Sequence, residues 1–344
     1  MNQRPLPRRS ALKSIAGIAC ALALPALGSP RAHAQTGTKD VNLQLGWLPG
    51  GDQLGEIVAQ HLGYFEDEGL NLKIQPGGPS VDGVAMVASG GYEIGQVTSS
   101  PSLMMAASQG IPVKCFAVGL QEHPHTFFSL PRQPIKRPRD MVGRKIGIQA
   151  TGKVLLSALL KKNGLSESDI EIITIGSDYT PLLTGQVDAV AGWITNVKAL
   201  KPLGDELVTL RLWDFGVRLY ALPYYTTEAT LKNDPELLAA FLRAAGKGWG
   251  YARENPERAV EILVRAVSNL DEQDQLASAG AMLNFAFNEQ TKEQGWGSFS
   301  DQVWQDQISL YNELGQFSGG TPDLDNVRSR LILDATSDAR PKLA

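Results

Sequence analysis

Two tryptophans, Trp47 and Trp193, each stand just after a short β-rich run, residues 41–45 and 189–192. In an open α/β sheet the residues that follow the strands line the crevice where ligands bind, so two indoles there can stack on the faces of a planar ring. Gly50, Gly51 and Gln53 bring backbone and amide donors beside Trp47, and Asn196 lies beside Trp193. The ordinary alternative for Trp47 is packing on the rim of a lobe. Thr98-Ser99-Ser100 follows another run and opens a helix, where hydroxyls and free N–H groups can hold a polar or anionic group, although capping explains Ser100 equally well. Thr151 and Gly152 open a further helix after residues 145–149. Tyr224 and Tyr225 are additional rim candidates, and Asp178 can meet a ligand amine or cap a helix.

Gln121-Glu122-His123-Pro124-His125 falls where the chain leaves its first series of strands. Two histidines and a glutamate invite a metal reading, but three convergent ligands of the usual kinds are not evident elsewhere and Cys115 sits inside an expected strand. A hinge or pocket-rim role is favoured, with Gln121 or His123 giving a hydrogen bond, and neither a metal nor a cofactor is expected. Gly152-Lys153 lacks the spacing of a phosphate loop, and there is no Gly-x-Ser-x-Gly elbow, His-Glu-x-x-His helix or dinucleotide glycine loop.

These residues need a scaffold that places strand ends opposite one another. Residues 41–120 alternate short β-rich runs with helical patterns, the signature of βαβ units and a mostly parallel sheet. A basic, proline-rich stretch at 131–139 precedes a second, smaller series over 145–213. Beyond residue 226 the pattern changes to helices at 234–251, 255–264, 271–285, 300–314 and 326–336, two of them with proline in the first turn. The expected fold class is therefore α/β with two lobes, one from 39–125 and 222–344, the other from 126–221.

Residues 1–34 read as a removed signal peptide: Arg4, Arg8, Arg9 and Lys13, then an apolar stretch too short to span a bilayer, then Ala32-His33-Ala34. Pro7-Arg8-Arg9-Ser10-Ala11-Leu12-Lys13 resembles a twin-arginine export signal. Its loss takes five of the 32 basic residues and none of the 36 acidic ones, deepening the formal net charge of −4 and arguing against nucleic acid as a partner. Of two cysteines only Cys115 would remain, so no intramolecular disulfide is expected.

The block Leu43-Gln44-Leu45-Gly46-Trp47-Leu48-Pro49, followed by Gly63-Tyr64-Phe65-Glu66-Asp67-Glu68-Gly69-Leu70, resembles solute-binding proteins related to thiamine-pyrimidine biosynthesis. The likeness continues through residues 88–95, 141–147 and 183–189. It implies a periplasmic-binding-protein fold of type II, with two crossover strands near residues 125–130 and 217–222 and the C-terminal helices packed on the first lobe. It also implies a periplasmic, monomeric, non-catalytic partner of an ABC importer, reaching the permease and indirectly its ATPase. The ligand implied is a small heteroaromatic such as a thiamine pyrimidine precursor, closing the two lobes on binding. Relatives that bind nitrate, sulfonates or taurine keep a small anion open, intracellular pyrimidine synthases provide an enzymatic alternative, and a sensory receptor could replace the importer.

Overall fold

The computed structural model describes residues 38–342 apart from 79 and 177. The signal segment 1–34 lies outside the described residues. Ten strands form two mixed five-stranded sheets. β1 (Lys39–Leu45), β2 (Leu70–Gln75), β3 (Ile94–Gln96) and β4 (Val113–Leu120) build the first sheet, and β5 (His125–Ser129), β6 (Lys145–Ile148), β7 (Glu171–Thr174), β8 (Ala189–Trp193) and β9 (Val208–Arg211) the second. β10 (Ala221–Thr227) returns to the first sheet, giving the orders β2-β1-β3-β10-β4 and β7-β6-β8-β5-β9.

In each sheet one strand runs against its neighbours. β1 is parallel to β2 and β3, whereas β10 is antiparallel to β3 and β4. In the second sheet β6 is parallel to β7 and β8, and β5 is antiparallel to β8 and β9. The chain passes between sheets twice, through residues 121–124 and again through 212–220. Both passages join the β10-β4 side of the first sheet to the β5-β9 side of the second. The strand order reverses between β1 and β3 and between β6 and β8, where such sheets leave a crevice at their carboxyl ends. β5 and β10 are buried along their whole length and β4 at every position but Lys114, so the junction between lobes is part of the core.

The long helices of the last third start where proline and capping residues direct them. Pro235–Glu254 and Pro256–Ala266 have proline at the first helical position, where its missing N–H costs nothing. Glu272–Ala286 and Asp301–Glu313 start from Asp271 and Ser300, whose side chains accept from Asp274 N–H and Val303 N–H. The helix expected over 326–336 is instead two short pieces, Leu324–Val327 and Leu331–Ala335. Between them Arg328 bridges to Cys115, and Ser329 N–H donates to the Cys115 carbonyl at 2.8 Å, so the edge of β4 straightens the chain.

Candidate functional site

On the first lobe, β1 ends beside β3, and Trp47 emerges half exposed. The turn after it is tied to the interior by a chain of amides and one carboxylate. Gly50 N–H donates to Gln53 Oε1 at 3.1 Å, Gln53 Nε2 to Gln96 Oε1 at 2.7 Å, and Gln96 Nε2 to Glu56 Oε1 at 3.0 Å. Glu56 is fully buried and also accepts from Trp249 Nε1 at 3.1 Å and from the Tyr224 hydroxyl. Gln53 therefore acts as a brace for the Trp47 turn. Tyr224, expected on the rim, is fully buried on β10 and belongs to this internal network.

Ser100 is another correction. Its hydroxyl donates to Gln307 Oε1 at 2.6 Å and accepts from Tyr220 N–H at 3.2 Å, with no exposed surface, and it makes no cap bond to its own helix. Ser100 thus joins Pro101–Ser108 to Asp301–Glu313 and to the returning crossover. Ser100→Ala is expected to lower unfolding free energy by about 1–2 kcal/mol while leaving ligand affinity of the folded protein unchanged, checked by urea unfolding and calorimetry. Neighbouring Ser99 keeps a buried hydroxyl without a partner.

At the first passage the sequence candidates converge. Gln121 is nearly fully buried; its amide donates to the Ser298 carbonyl at 2.9 Å, and its Oε1 has no partner. His123 N–H donates to the Leu219 carbonyl at 3.0 Å, which ties the two passages together. His123 Nδ1 accepts from His125 N–H at 3.2 Å. A neutral imidazole whose Nδ1 accepts must carry its proton on Nε2, and that Nε2–H is buried without an acceptor. Burial, and secondarily the adjacent His125, pushes the His123 pKa down to about 3; burial takes His125 down to about 4. Both rings are uncharged at neutral pH.

β5 sets His125 directly opposite Trp193 on β8. The Trp193 ring, half buried, meets His123 edge to face at 5.1 Å between centroids. A Cβ on Gly152 would come within 3.6 Å of His125 Cε1, so the entrance to helix Lys153–Lys162 closes on the same cluster. Thr151 occupies the short turn Ala150–Gly152 that leads into this helix. The structure thus gathers His123, Trp193 and Gly152, with His125 added to them. Asn196 is not among them: it is exposed and caps Val197–Leu200 by accepting from Ala199 N–H at 3.4 Å.

Helix Glu272–Ala286 walls one side. It packs on the turn Gly51–Gln53 of the first lobe and on Val197–Leu200 of the second, and Lys201 of that lobe lies 3.8 Å from Asp274. At its far end the Phe285 carbonyl accepts Gln121 N–H at 2.7 Å, and the Arg211 guanidinium lies 5.1 Å over the Phe285 ring while paired with Glu122. Glu56 and this helix were not singled out from sequence. The available signal for Glu56 was a lone acid on the apolar run Leu54-Gly55-Glu56-Ile57-Val58. Among the described residues no group of three His, Cys, Asp or Glu side chains could hold a metal ion.

Two mixed sheets that exchange a strand and hold their polar junction residues between them define the periplasmic-binding-protein fold. The periplasmic aliphatic sulphonate binding protein SsuA from Escherichia coli superposes with a TM-score of 0.65 at 14% identity, over 89% of this chain and 94% of that one. The chain belongs to the NMT1/THI5-like family, whose pattern matches residues 51–259. It is 28% identical to the formylaminopyrimidine-binding protein of Halalkalibacterium halodurans, over 76% of this chain and 81% of that protein. It is also 31% identical to the 4-amino-5-hydroxymethyl-2-methylpyrimidine phosphate synthase of Legionella pneumophila, over 67% of this chain and 74% of that one.

Proposed function

We propose that this protein is the periplasmic ligand-binding component of an ATP-driven importer and that it takes up a small, uncharged heteroaromatic molecule of the pyrimidine-precursor class. The observation that carries the reading is the buried His123 Nε2–H beside the Trp193 ring, a donor without an acceptor next to a flat apolar surface. A buried polar group left unpaired is costly, so a ligand acceptor there is strongly favoured. A heteroaromatic ring nitrogen or carbonyl oxygen supplies it, and the ring rests on Trp193, with Trp47 covering the other face from the first lobe. Ser99 and Gln121 provide further polar atoms for substituents. The formylaminopyrimidine-binding relative supports this ligand class.

Charge argues against the small-anion alternative. Both histidines are neutral, and Arg211 is already paired with Glu122. The synthase relative keeps an enzymatic reading in view, but Cys115 is fully buried in β4 with its thiol pushed above the ordinary range by burial, and the cluster presents no activated nucleophile. Binding without turnover is the simpler role for two neutral imidazoles and an indole. Export through the 1–34 signal, by a twin-arginine route, and monomeric handover to a permease complete the reading.

A thermal-shift series on the chain without residues 1–34 tests it, because a ligand that binds only the folded state raises the melting temperature. Aminopyrimidines should raise it and taurine or alkanesulfonates should not; the reverse pattern overturns the ligand class. Trp193→Ala and Trp47→Ala should each weaken the best hit roughly tenfold or more in calorimetry, given about 1–3 kcal/mol for a stacked ring on an aromatic side chain. Unchanged affinity removes that residue from the site.

A further inference from the structure

We propose a second ligand site, for a small multiply charged oxyanion, on the face of the lobe junction away from the Trp193 cluster. A cavity of about 250 Å³ opens there between the end of helix Lys153–Lys162, the returning crossover and helix Asp301–Glu313, lined by Lys162, Gly216, Arg218, Asp306, Gln307 and Leu310. Gly152, which touches His125, is at the opposite end of the same helix. At 1.5 Å per residue the two ends are about 15 Å apart, so the cavity is separate from the ring-binding cluster.

Both cations are held in place, and neither is neutralised. Gly216 has φ 86°, and a Cβ there would stand 3.1 Å from Lys162 Cγ and 3.2 Å from Cε, so this glycine makes room for the lysine stem to lie across the crossover. The Arg218 guanidinium rests 5.9 Å over the Trp213 ring. No carboxylate among the described residues lies within 4.0 Å of either, although most other basic side chains of the fold have such a partner. Asp306, on the same wall, instead accepts from Gln302 Nε2 at 2.8 Å.

The floor of the cavity supplies an independent sign. Gln307 is nearly fully buried, its Oε1 is occupied by the Ser100 hydroxyl, and its Nε2 has no partner. An orphaned amide donor beneath two unpaired cations is a donor set that an oxyanion satisfies, through charge from Lys162 and Arg218 and a hydrogen bond from Gln307. Phosphate and compact carboxylates share that chemistry and fit the volume. An occupant joins the second lobe to helix Asp301–Glu313 of the first, and so favours the arrangement of lobes in which the cavity is formed.

Thermal shift and calorimetry of the chain without residues 1–34, titrated with inorganic phosphate and with citrate against sodium chloride at matched ionic strength, test the site. A saturable upward shift is expected with at least one of the two anions. The Lys162→Ala/Arg218→Ala variant, whose altered side chains are exposed, should bind at least tenfold more weakly. Phosphate alone or citrate alone identifies the source. No saturable shift beyond chloride in the unaltered chain, or an equal shift in the double variant, overturns the proposal. Trp193→Ala should keep the anion response; if it loses the response while the double variant retains it, the anion occupies the ring-binding cluster and the second site is wrong. Failure of aminopyrimidines to bind leaves this readout intact.

Discussion

Gly248→Ala is expected to cost about 3 kcal/mol of folding stability, at the upper end of ordinary overpacking penalties. A Cβ at Gly248 would stand 2.0 Å from the Gly55 carbonyl oxygen and 2.8 Å from Ala59 Cβ, and a Cβ at Gly55 would meet the Trp249 ring at 2.1 Å. Helices Leu54–His61 and Pro235–Glu254 therefore meet backbone to backbone, and a backbone oxygen cannot rotate away as a side chain can. The same closeness lets Trp249 Nε1 reach Glu56 and hold the Gln96–Gln53 brace under the Trp47 turn. Ligand affinity should fall along with stability. Gly280→Ala is the control: that position on helix Glu272–Ala286 has open space around it, and the substitution should stabilise by about 0.5–1 kcal/mol. Urea unfolding of both variants gives opposite signs; equal effects would mean that the helix crossing tolerates a methyl group.

The order of elements is readable in the sequence because apolar spacing and proline at helix starts are local signals. The alternation along the second half of β1, the nearly continuous apolar run of β4, and Pro235 and Pro256 carry the same information in the chain as in the fold. What sequence hides is each side chain's partner. Tyr224 reads as a rim aromatic because it follows a crossover, yet β10 inserts between β3 and β4 and buries it against Glu56, 168 residues away in the chain. Ser100 looks like a helix cap, but its partner Gln307 is 207 residues distant. Asn196 resembles a cleft residue for the same positional reason and serves as a cap. The position of the histidines between the two series of strands is legible, because a break between strand series is local. Their neutrality and the orphaned Nε2–H follow only from burial and from His125 N–H, which the fold supplies.

Glu56 and His123 are expected to pull stability in opposite directions over one pH window. Burial raises the Glu56 carboxyl from 4.5 to about 7, against the opposing hydrogen bonds from Tyr224, Trp249 and Gln96. The folded form thus holds that proton more tightly than the unfolded chain, and the stability it contributes is complete below pH 4.5 and lost as pH rises toward 7. His123 is the mirror case: with its pKa lowered from 6.5 to about 3, the folded form resists protonation, so its contribution is complete above pH 6.5 and lost as pH falls. Between pH 4.5 and 6.5 linkage makes each change worth about 2 kcal/mol, and the two nearly cancel in the unaltered protein. Substitution exposes them. Relative to the parent, Glu56→Gln should gain about 2 kcal/mol on going from pH 4.5 to 6.5, whereas His123→Asn, which keeps an acceptor for His125 N–H, should lose about as much. Urea unfolding at the two pH values measures both differences, and constant offsets, whatever their size, drop out. An offset for Glu56→Gln that is the same at both values would mean that the carboxyl titrates in the folded protein as it does in the unfolded chain, and that its three donors, not its burial, set its charge.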